Sequence, residues 1–189
     1  MQRLTNWLQS FRRDEKGSIA IETVLIIPAL FWAYLALFAI FDVYRQYSVN
    51  QKAAFTLGDM VSRETTPIDN EYVDGSLELL QYLTNARDAA DVSIRISSIA
   101  YRQDSDSFEL DWSQTRGGAV VPLVEADVTD WHDRLPIMAD NDHITVVETF
   151  VDYDPPFNTG LADREIRNFV FTKPRYSTWV CFVECPDGI

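Results

Sequence analysis

Glu22 is the residue of this sequence whose position most needs a chemical explanation. It is the only charged residue in an otherwise apolar run over residues 19–41, and it follows Gly17 by five positions. A carboxylate in such a run costs about 3 kcal/mol even on permissive insertion scales. Its position therefore needs a reason, and pairing with a cation would be one, because pairing offsets part of the cost of leaving water. The alternative is a carboxylate that reaches water at the membrane surface and binds nothing specific.

Two histidines and several carboxylates are the other side chains that could do chemistry. His132 and His143 could act as general bases, yet the sequence contains no Gly-x-Ser-x-Gly, no glycine-rich phosphate loop and no His-Glu-x-x-His motif. Asp104 and Asp106 begin like a calcium loop, but Phe108 stands where a third oxygen ligand is expected, which favours an acidic hairpin tip. The sequence therefore predicts no enzyme, cofactor or metal site.

The charge distribution predicts which side of a membrane each part of the chain occupies. The apolar run would form roughly 35 Å of helix, enough to cross a hydrocarbon core of ~30 Å. The whole chain has a net charge of −13. Residues 1–17 carry +2, so the remaining residues carry −15. Basic segments stay in the cytoplasm, so the acidic bulk is expected beyond the membrane. An acidic domain repels phosphate groups, which argues against nucleic acid as a partner.

Cys181 and Cys185 are the only cysteines of the chain. On the far side of the membrane, oxidising conditions favour a disulfide that closes the short loop between them. Two free thiols at the end of a buried strand are the alternative interpretation.

The elements that position these residues begin with a long helix. One helix is predicted over residues 18–63, with residues 18–41 in lipid and an amphipathic extension, assigned to residues 42–66, packed on a soluble domain. Its apolar stripe contains Val43, Tyr47, Ala54, Leu57 and Val61. Pro28 removes one backbone hydrogen bond and is expected to kink this helix. Gly58 is the weakest position of the extension.

A second helix and a set of strands follow in a domain over residues 67–189. Thr66 is predicted as the N-cap of a helix that begins at Pro67 and ends near residue 87. A phase change between Ile96 and Ile99 predicts a bulge near Ser97 and Ser98. Alternating apolar residues predict strands over residues 92–101, 108–113, 143–153, 169–172 and 177–183, with a hairpin loop at residues 103–107. Two helices before an antiparallel sheet make an α+β fold.

The N-terminal pattern combines Gly17, Ser18, Glu22 and Pro28 with the preceding residues Phe-Arg-Arg-Asp-Glu-Lys at 11–16. Over about residues 11–60 it resembles type IV prepilins, and it is most similar to the TadE/TadF-like minor pseudopilins of the tight-adherence (Tad/Flp, type IVc) pilus system. The resemblance implies that a prepilin peptidase cuts after Gly17, so that residues 1–17 are a leader and Ser18 becomes the first mature residue. Thr23 stands where the short Flp pilin has tyrosine, and a long domain follows, which favours a minor pseudopilin.

The resemblance implies an assembly function. Glu22 of one subunit would pair with the new amine at Ser18 of a neighbour and set the register of the packed helices. The implied partners are a prepilin peptidase, other pseudopilins or pilin subunits, and the inner-membrane pilus platform. The implied process is pilus biogenesis in adhesion, surface colonisation and biofilm formation. The implied location is the bacterial inner membrane, as a single-pass protein with a cytoplasmic N-terminus and a periplasmic domain.

Two other function classes compete with this interpretation. An uncleaved, single-pass membrane protein could carry an extracytoplasmic domain that binds a ligand or a wall component. A periplasmic enzyme would depend on His132 or His143, although no motif supports it. The mass of the protein from its native membrane separates the first alternative from the pseudopilin hypothesis, which requires loss of residues 1–17.

Overall fold

The computed structural model describes residues 18–118, 120–157 and 162–183, with side chains from residue 21 onward. The two helices and the antiparallel sheet that follows confirm the predicted α+β fold. Short 3-10 turns also occur at Ala89–Asp91 and Trp131–Asp133. The elements in chain order are α1 (Ser18–Ser62), α2 (Asn70–Thr84), β1 (Val92–Arg102), β2 (Ser107–Arg116), α3 (Glu125–Val128), β3 (His143–Tyr153) and β4 (Arg164–Thr172).

The described residues belong to two compact units. One contains residues 18–42 and 155–157, and the other contains residues 43–154 and 162–183. Helix α1 contributes to both, with its apolar first half in the first unit and its second half in the second. The predicted helix over residues 18–63 is therefore confirmed within one residue at its C-terminal end.

The sheet of the second unit has four antiparallel strands in the order β2-β1-β3-β4. A hairpin turn at residues 103–106 joins β1 to β2, close to the predicted loop, and β3 has the predicted bounds. Both faces of this sheet bury apolar side chains. Helices α1 and α2 cover one face, where the helix-side core contains Leu57, Val61, Val73, Leu80, Ile94, Ile96 and Val147. The segment around α3 covers part of the other face, where the loop-side core contains Ile99, Phe108, Val128, Trp131, Leu135, Ile144 and Val146.

The second half of α1 packs on the sheet through the predicted apolar stripe, with one exception. Val43, Ala54, Leu57 and Val61 are buried, whereas Tyr47 is 39% exposed and lies outside the stripe. Gly58 is in the helix interior because β4 approaches closely there. A methyl group at this position would lie 3.1 Å from Cγ1 of Val170. The residue that weakens the helix locally therefore permits close contact with the sheet.

The predicted start of the second helix is wrong by three residues. The N-cap is Asp69, whose carboxylate accepts a hydrogen bond from the backbone N–H of Tyr72 at 2.9 Å. Thr66 and Pro67 precede the helix because Ile68 is extended and forms a parallel bridge with Phe182. The backbone N–H of Ile68 donates to the Cys181 carbonyl at 3.0 Å. The helix ends at Thr84, earlier than predicted, because Asn85 adopts a left-handed conformation and caps it.

The predicted bulge near Ser97 and Ser98 is confirmed, but it does not cause the phase change in β1. A register shift does occur between Ser98 and Ile99, but the extra residue is Asp111 of β2, and β1 continues against β3 without interruption. Ile96 faces the helix-side core and Ile99 faces the loop-side core. The apolar residues change phase because the strand is buried on both faces.

The predicted last strand over residues 177–183 is also wrong. Only Phe182 forms a bridge, and it pairs with Ile68 instead of a strand of the sheet. The segment instead crosses the end of α1, where Arg175 donates its N–H to the Ser62 carbonyl at 2.8 Å. The Trp112 indole donates to the Val180 carbonyl at 2.8 Å. These tertiary hydrogen bonds occupy backbone groups that a strand would use.

Candidate functional site

The first half of α1 is a candidate membrane segment. Its large apolar side chains other than the partly buried Leu35 are exposed, from 44% at Ile40 to 72% at Phe41. Only 6% of its most apolar part is buried. A continuous apolar surface of this kind is unstable in water and indicates a lipid or protein environment. The helix is long and apolar enough to span a membrane.

The residues predicted for processing and assembly lie at the start of α1. Ser18 is the first helical residue, although its side chain is not described, and Gly17 lies outside the described residues. Glu22 is exposed and follows Ser18 by one helical turn, so the two positions share a face of the helix. An amine at Ser18 would therefore lie on the same face of α1 as the Glu22 carboxylate.

Pro28 lies in the interior of α1, and the helix continues on both sides of it. The missing N–H removes a hydrogen bond of the helix at this point. The predicted kink stays a prediction. Thr23 follows Glu22 and is helical like its neighbours.

Cys181 is disulfide-bonded, buried, and held in the bridge that links the 181–183 segment to Ile68. The predicted partner, Cys185, lies outside the described residues. The Cys181–Cys185 pairing itself therefore stays a prediction.

His143 belongs to a polar cluster that sequence patterns did not reveal. Its Nδ1 lies 2.8 Å from Oδ2 of Asp111, and the Ser98 hydroxyl donates to the same carboxylate at 2.8 Å. The His143 ring also packs against Trp179, with 5.1 Å between ring centroids. The serine bonds to the aspartate and not to the histidine, so this arrangement lacks the nucleophile–base contact of acyl-transfer enzymes. The contact with Asp111 instead orients His143, and the His143 ring positions Trp179.

His132 links the β1–β2 turn to the 3-10 turn that follows α3. Its Nε2 lies 3.3 Å from Oδ1 of Asp106, and its Nδ1 lies 3.2 Å from Oδ1 of Asp130. The Tyr101 hydroxyl donates to Asp106 at 2.7 Å, which lowers the pKa of that carboxyl together with His132. Asp106, at the predicted acidic hairpin tip, is thus engaged in local hydrogen bonds. Among the described residues, no group of three or more His, Cys, Asp or Glu side chains is arranged to hold a metal ion.

The pKa of His132 is expected to exceed its ordinary value of about 6.5. Desolvation lowers this pKa, but the hydrogen bonds to Asp130 and Asp106 raise it by more. The link therefore stabilises the fold fully below pH ~6.5 and loses its effect as pH rises through the folded pKa. An NMR titration of the imidazole should show a lower pKa in Asp106→Asn and an unchanged one in the matched control Asp104→Asn. Equal titration curves for wild type and Asp106→Asn would contradict the assignment.

A cleft of about 360 Å³ lies between the 64–67 linker and the segment that crosses the end of α1. Sequence reasoning missed it, because residues 177–183 were interpreted as a strand. The only available signal was the concentration of Tyr, Ser, Thr and Trp at positions 176–179. The residues around it include Glu64, Thr66, Tyr176, Ser177, Thr178 and Trp179.

Comparisons with known proteins leave the family open. No family model, no curated protein and no solved structure matches this chain.

Proposed function

We propose that this chain is a minor pilin-like component, TadE/TadF-like, of a type IVc (Tad/Flp) pilus assembly system. The observation that carries the proposal is the division of α1. One helix exposes an apolar surface of membrane-spanning length in its first half and forms part of the core of an α+β domain in its second half. Ser18 and Glu22 of the prepilin-like pattern lie in the first turns of this helix, and Gly17 precedes them in the sequence.

The division of α1 suits a subunit that is stored in a membrane and later packed against other helices. Lipid covers the apolar half in the stored state, and neighbouring subunits cover it in the assembly. The burial of Leu57 and Val61 makes the same helix a structural element of the soluble domain. A signal peptide removed after its apolar run would take the N-terminal half of α1 with it, whereas cleavage after Gly17 leaves the helix whole.

Glu22 and the amine at Ser18 supply the specific contact in this mechanism. Cleavage after Gly17 creates a cation one helical turn from a carboxylate. The amine of one helix can then pair with the Glu22 carboxylate of an adjacent helix. This pairing offsets part of the cost of holding both charges in a low-dielectric environment. A misaligned neighbour leaves the charges unpaired, so the pair selects one axial register.

The proposal places the chain in the bacterial inner membrane with its basic leader in the cytoplasm and its acidic domain in the periplasm. The net charges of +2 for residues 1–17 and −15 for the remainder support this orientation. The proposed partners are a prepilin peptidase, other pseudopilins or pilin subunits, and the inner-membrane pilus platform. The proposed roles are pilus biogenesis, adhesion and surface colonisation.

The experiment that tests the proposal determines the N-terminal sequence of the protein from its native membrane, beside Gly17→Ala. We expect the native chain to begin at Ser18 and the variant to keep Met1. A native chain that begins at Met1 in cells with an active prepilin peptidase would contradict the proposal. That result would favour the uncleaved membrane protein with an extracytoplasmic binding domain.

The role of Glu22 requires a second variant that removes only the charge. Glu22→Gln should be cleaved normally but should lose co-purification with partner pseudopilins from detergent extracts. Val24→Ala, on the same helix, is the matched control and should retain both properties. If Glu22→Gln retains its partners, the pairing mechanism is wrong even where cleavage after Gly17 is established.

A further inference from the structure

The cleft beside the end of α1 has an aromatic wall whose orientation is fixed by its neighbours. Trp179 packs on the His143 ring at 5.1 Å between centroids, with 44° between ring planes. Asp111 holds His143 in place through the 2.8 Å contact with Nδ1. Asp111 reaches this position because it is the extra residue of the bulge in β2. The wall is therefore ordered by the sheet before any ligand binds.

The Trp179 indole N–H is shielded from solvent and makes no hydrogen bond to any residue that the structure describes. A buried donor without an acceptor costs about 1–3 kcal/mol. The contact with His143 accounts for the position of the ring but not for this cost. The fold alone therefore does not explain why a tryptophan occupies this position.

The rest of the cleft is rich in hydroxyl groups and carries one carboxylate. Thr66 and Thr178 can each donate and accept hydrogen bonds, and Glu64 accepts them when ionised. The Ser177 hydroxyl donates to the Glu64 carbonyl at 3.3 Å and can still accept a hydrogen bond from a ligand. Tyr176 is 69% exposed and provides a second ring at the rim. The volume of about 360 Å³ falls within the ~300–1,000 Å³ that is usual for small-molecule sites.

We propose that this cleft binds a carbohydrate, either uncharged or carrying an amino group. A sugar ring has an apolar C–H face that packs on an aromatic ring and a rim of hydroxyls that needs donors and acceptors, which matches the two kinds of side chain present. Glu64 and the net charge of −13 disfavour sugar acids and phosphorylated sugars. The inference is independent of cleavage after Gly17, because no residue of the cleft lies in α1 or the leader.

The test measures saturation-transfer NMR signals and affinities for the full chain in detergent, with tri-N-acetylglucosamine, triglucosamine and trigalacturonic acid as probes. We expect binding of one or both of the first two and none of the trigalacturonic acid. Tyr176→Ala should weaken binding about tenfold, from loss of a stacked ring. Tyr82→Ala removes a tyrosine that is 82% exposed on α2 and should leave the affinity unchanged.

Thr178→Val keeps the size of the side chain at an exposed position and replaces the hydroxyl with a methyl group, so it tests the polar contacts of the rim. It should weaken binding several-fold. Absence of signal for both glucosamine-based probes at millimolar concentration would overturn the inference. Equal weakening in Tyr176→Ala and Tyr82→Ala, or binding of trigalacturonic acid alone, would also overturn it.

Discussion

Replacing Glu148 with alanine is expected to lower the free energy of unfolding by about 3–5 kcal/mol, because it leaves buried arginine without its counter-ion. Glu148 lies in β3 with only 7% of its side chain exposed. Its Oε2 accepts from Nε and Nη2 of Arg95, both at 2.6 Å, and its Oε1 lies 3.3 Å from Nη2 of Arg134. The Arg95 side chain is only 14% exposed.

The loss of Glu148 also affects the segment that covers the sheet, because Arg134 of that segment contacts Glu148. Its guanidinium lies 4.4 Å from the ring centroid of Trp131 and 4.1 Å from that of Phe169. Arg95 also donates from Nη1 to the Val121 carbonyl at 3.0 Å. Loss of Glu148 therefore weakens two attachments between the sheet and the 121–135 segment.

Urea unfolding of the full chain in a mild detergent, followed by tryptophan fluorescence, measures the change. Glu109→Ala is the matched control, because Glu109 also bonds to an arginine, Arg102, at 2.6 Å, but its side chain is 47% exposed. It should cost no more than about 1 kcal/mol. Replacing Arg95 and Glu148 together with methionine should cost less than Glu148→Ala, because no uncompensated charge then remains between them. Equal costs for Glu148→Ala and Glu109→Ala would show that burial of this ion pair does not matter.

Replacing Gly117 with alanine is the second change with a large expected effect, a loss of about 3 kcal/mol or more. Gly117 follows β2 and has a φ of +95°, which side chains other than glycine rarely adopt. An added methyl group would also lie 2.4 Å from the Val92 carbonyl oxygen and 2.4 Å from Oγ of Ser93. Strained backbone and overpacking each cost about 1–3 kcal/mol, and the backbone atom cannot rotate away as a side chain can.

The neighbouring glycine provides the matched control for this prediction. A methyl group at Gly118 meets no atom within 4 Å. Gly118→Ala should therefore leave the thermal midpoint nearly unchanged, whereas Gly117→Ala should lower it clearly in the same calorimetric experiment. If Gly117→Ala had the same thermal midpoint as the wild type, β1 and the end of β2 would not be held together as described.

The sequence carried the information for features that depend on local patterns. The apolar run and the helical spacing beyond it determined α1 to within one residue at its C-terminal end. Alternation placed β3 correctly, and a polar turn placed the β1–β2 hairpin. These features are predictable because each depends on residues that are close in sequence and on one periodicity.

Features that depend on distant contacts were predicted poorly or not at all. Ser177 and its neighbours alternate like a strand, but hydrogen bonds to the end of α1 and to the 64–68 linker hold them elsewhere. Thr66 has the chemistry of an N-cap, but the bridge between Ile68 and Phe182 moves the helix start to Asp69. Local propensities are worth about 1 kcal/mol at such sites, and a few tertiary hydrogen bonds override them.

Local sequence patterns were enough to predict the membrane-length helix, the charge asymmetry and the α+β order of elements. Three other features became visible only in the folded chain: Glu148 is a buried counter-ion, a bulge brings Asp111 to His143, and Trp179 forms the wall of a cleft. The physical reason is the separation along the chain of the groups that meet. Asp111 and His143 are 32 residues apart in the sequence. The periodicity of a strand shows which face a residue is on, but not which residue of a distant segment it contacts.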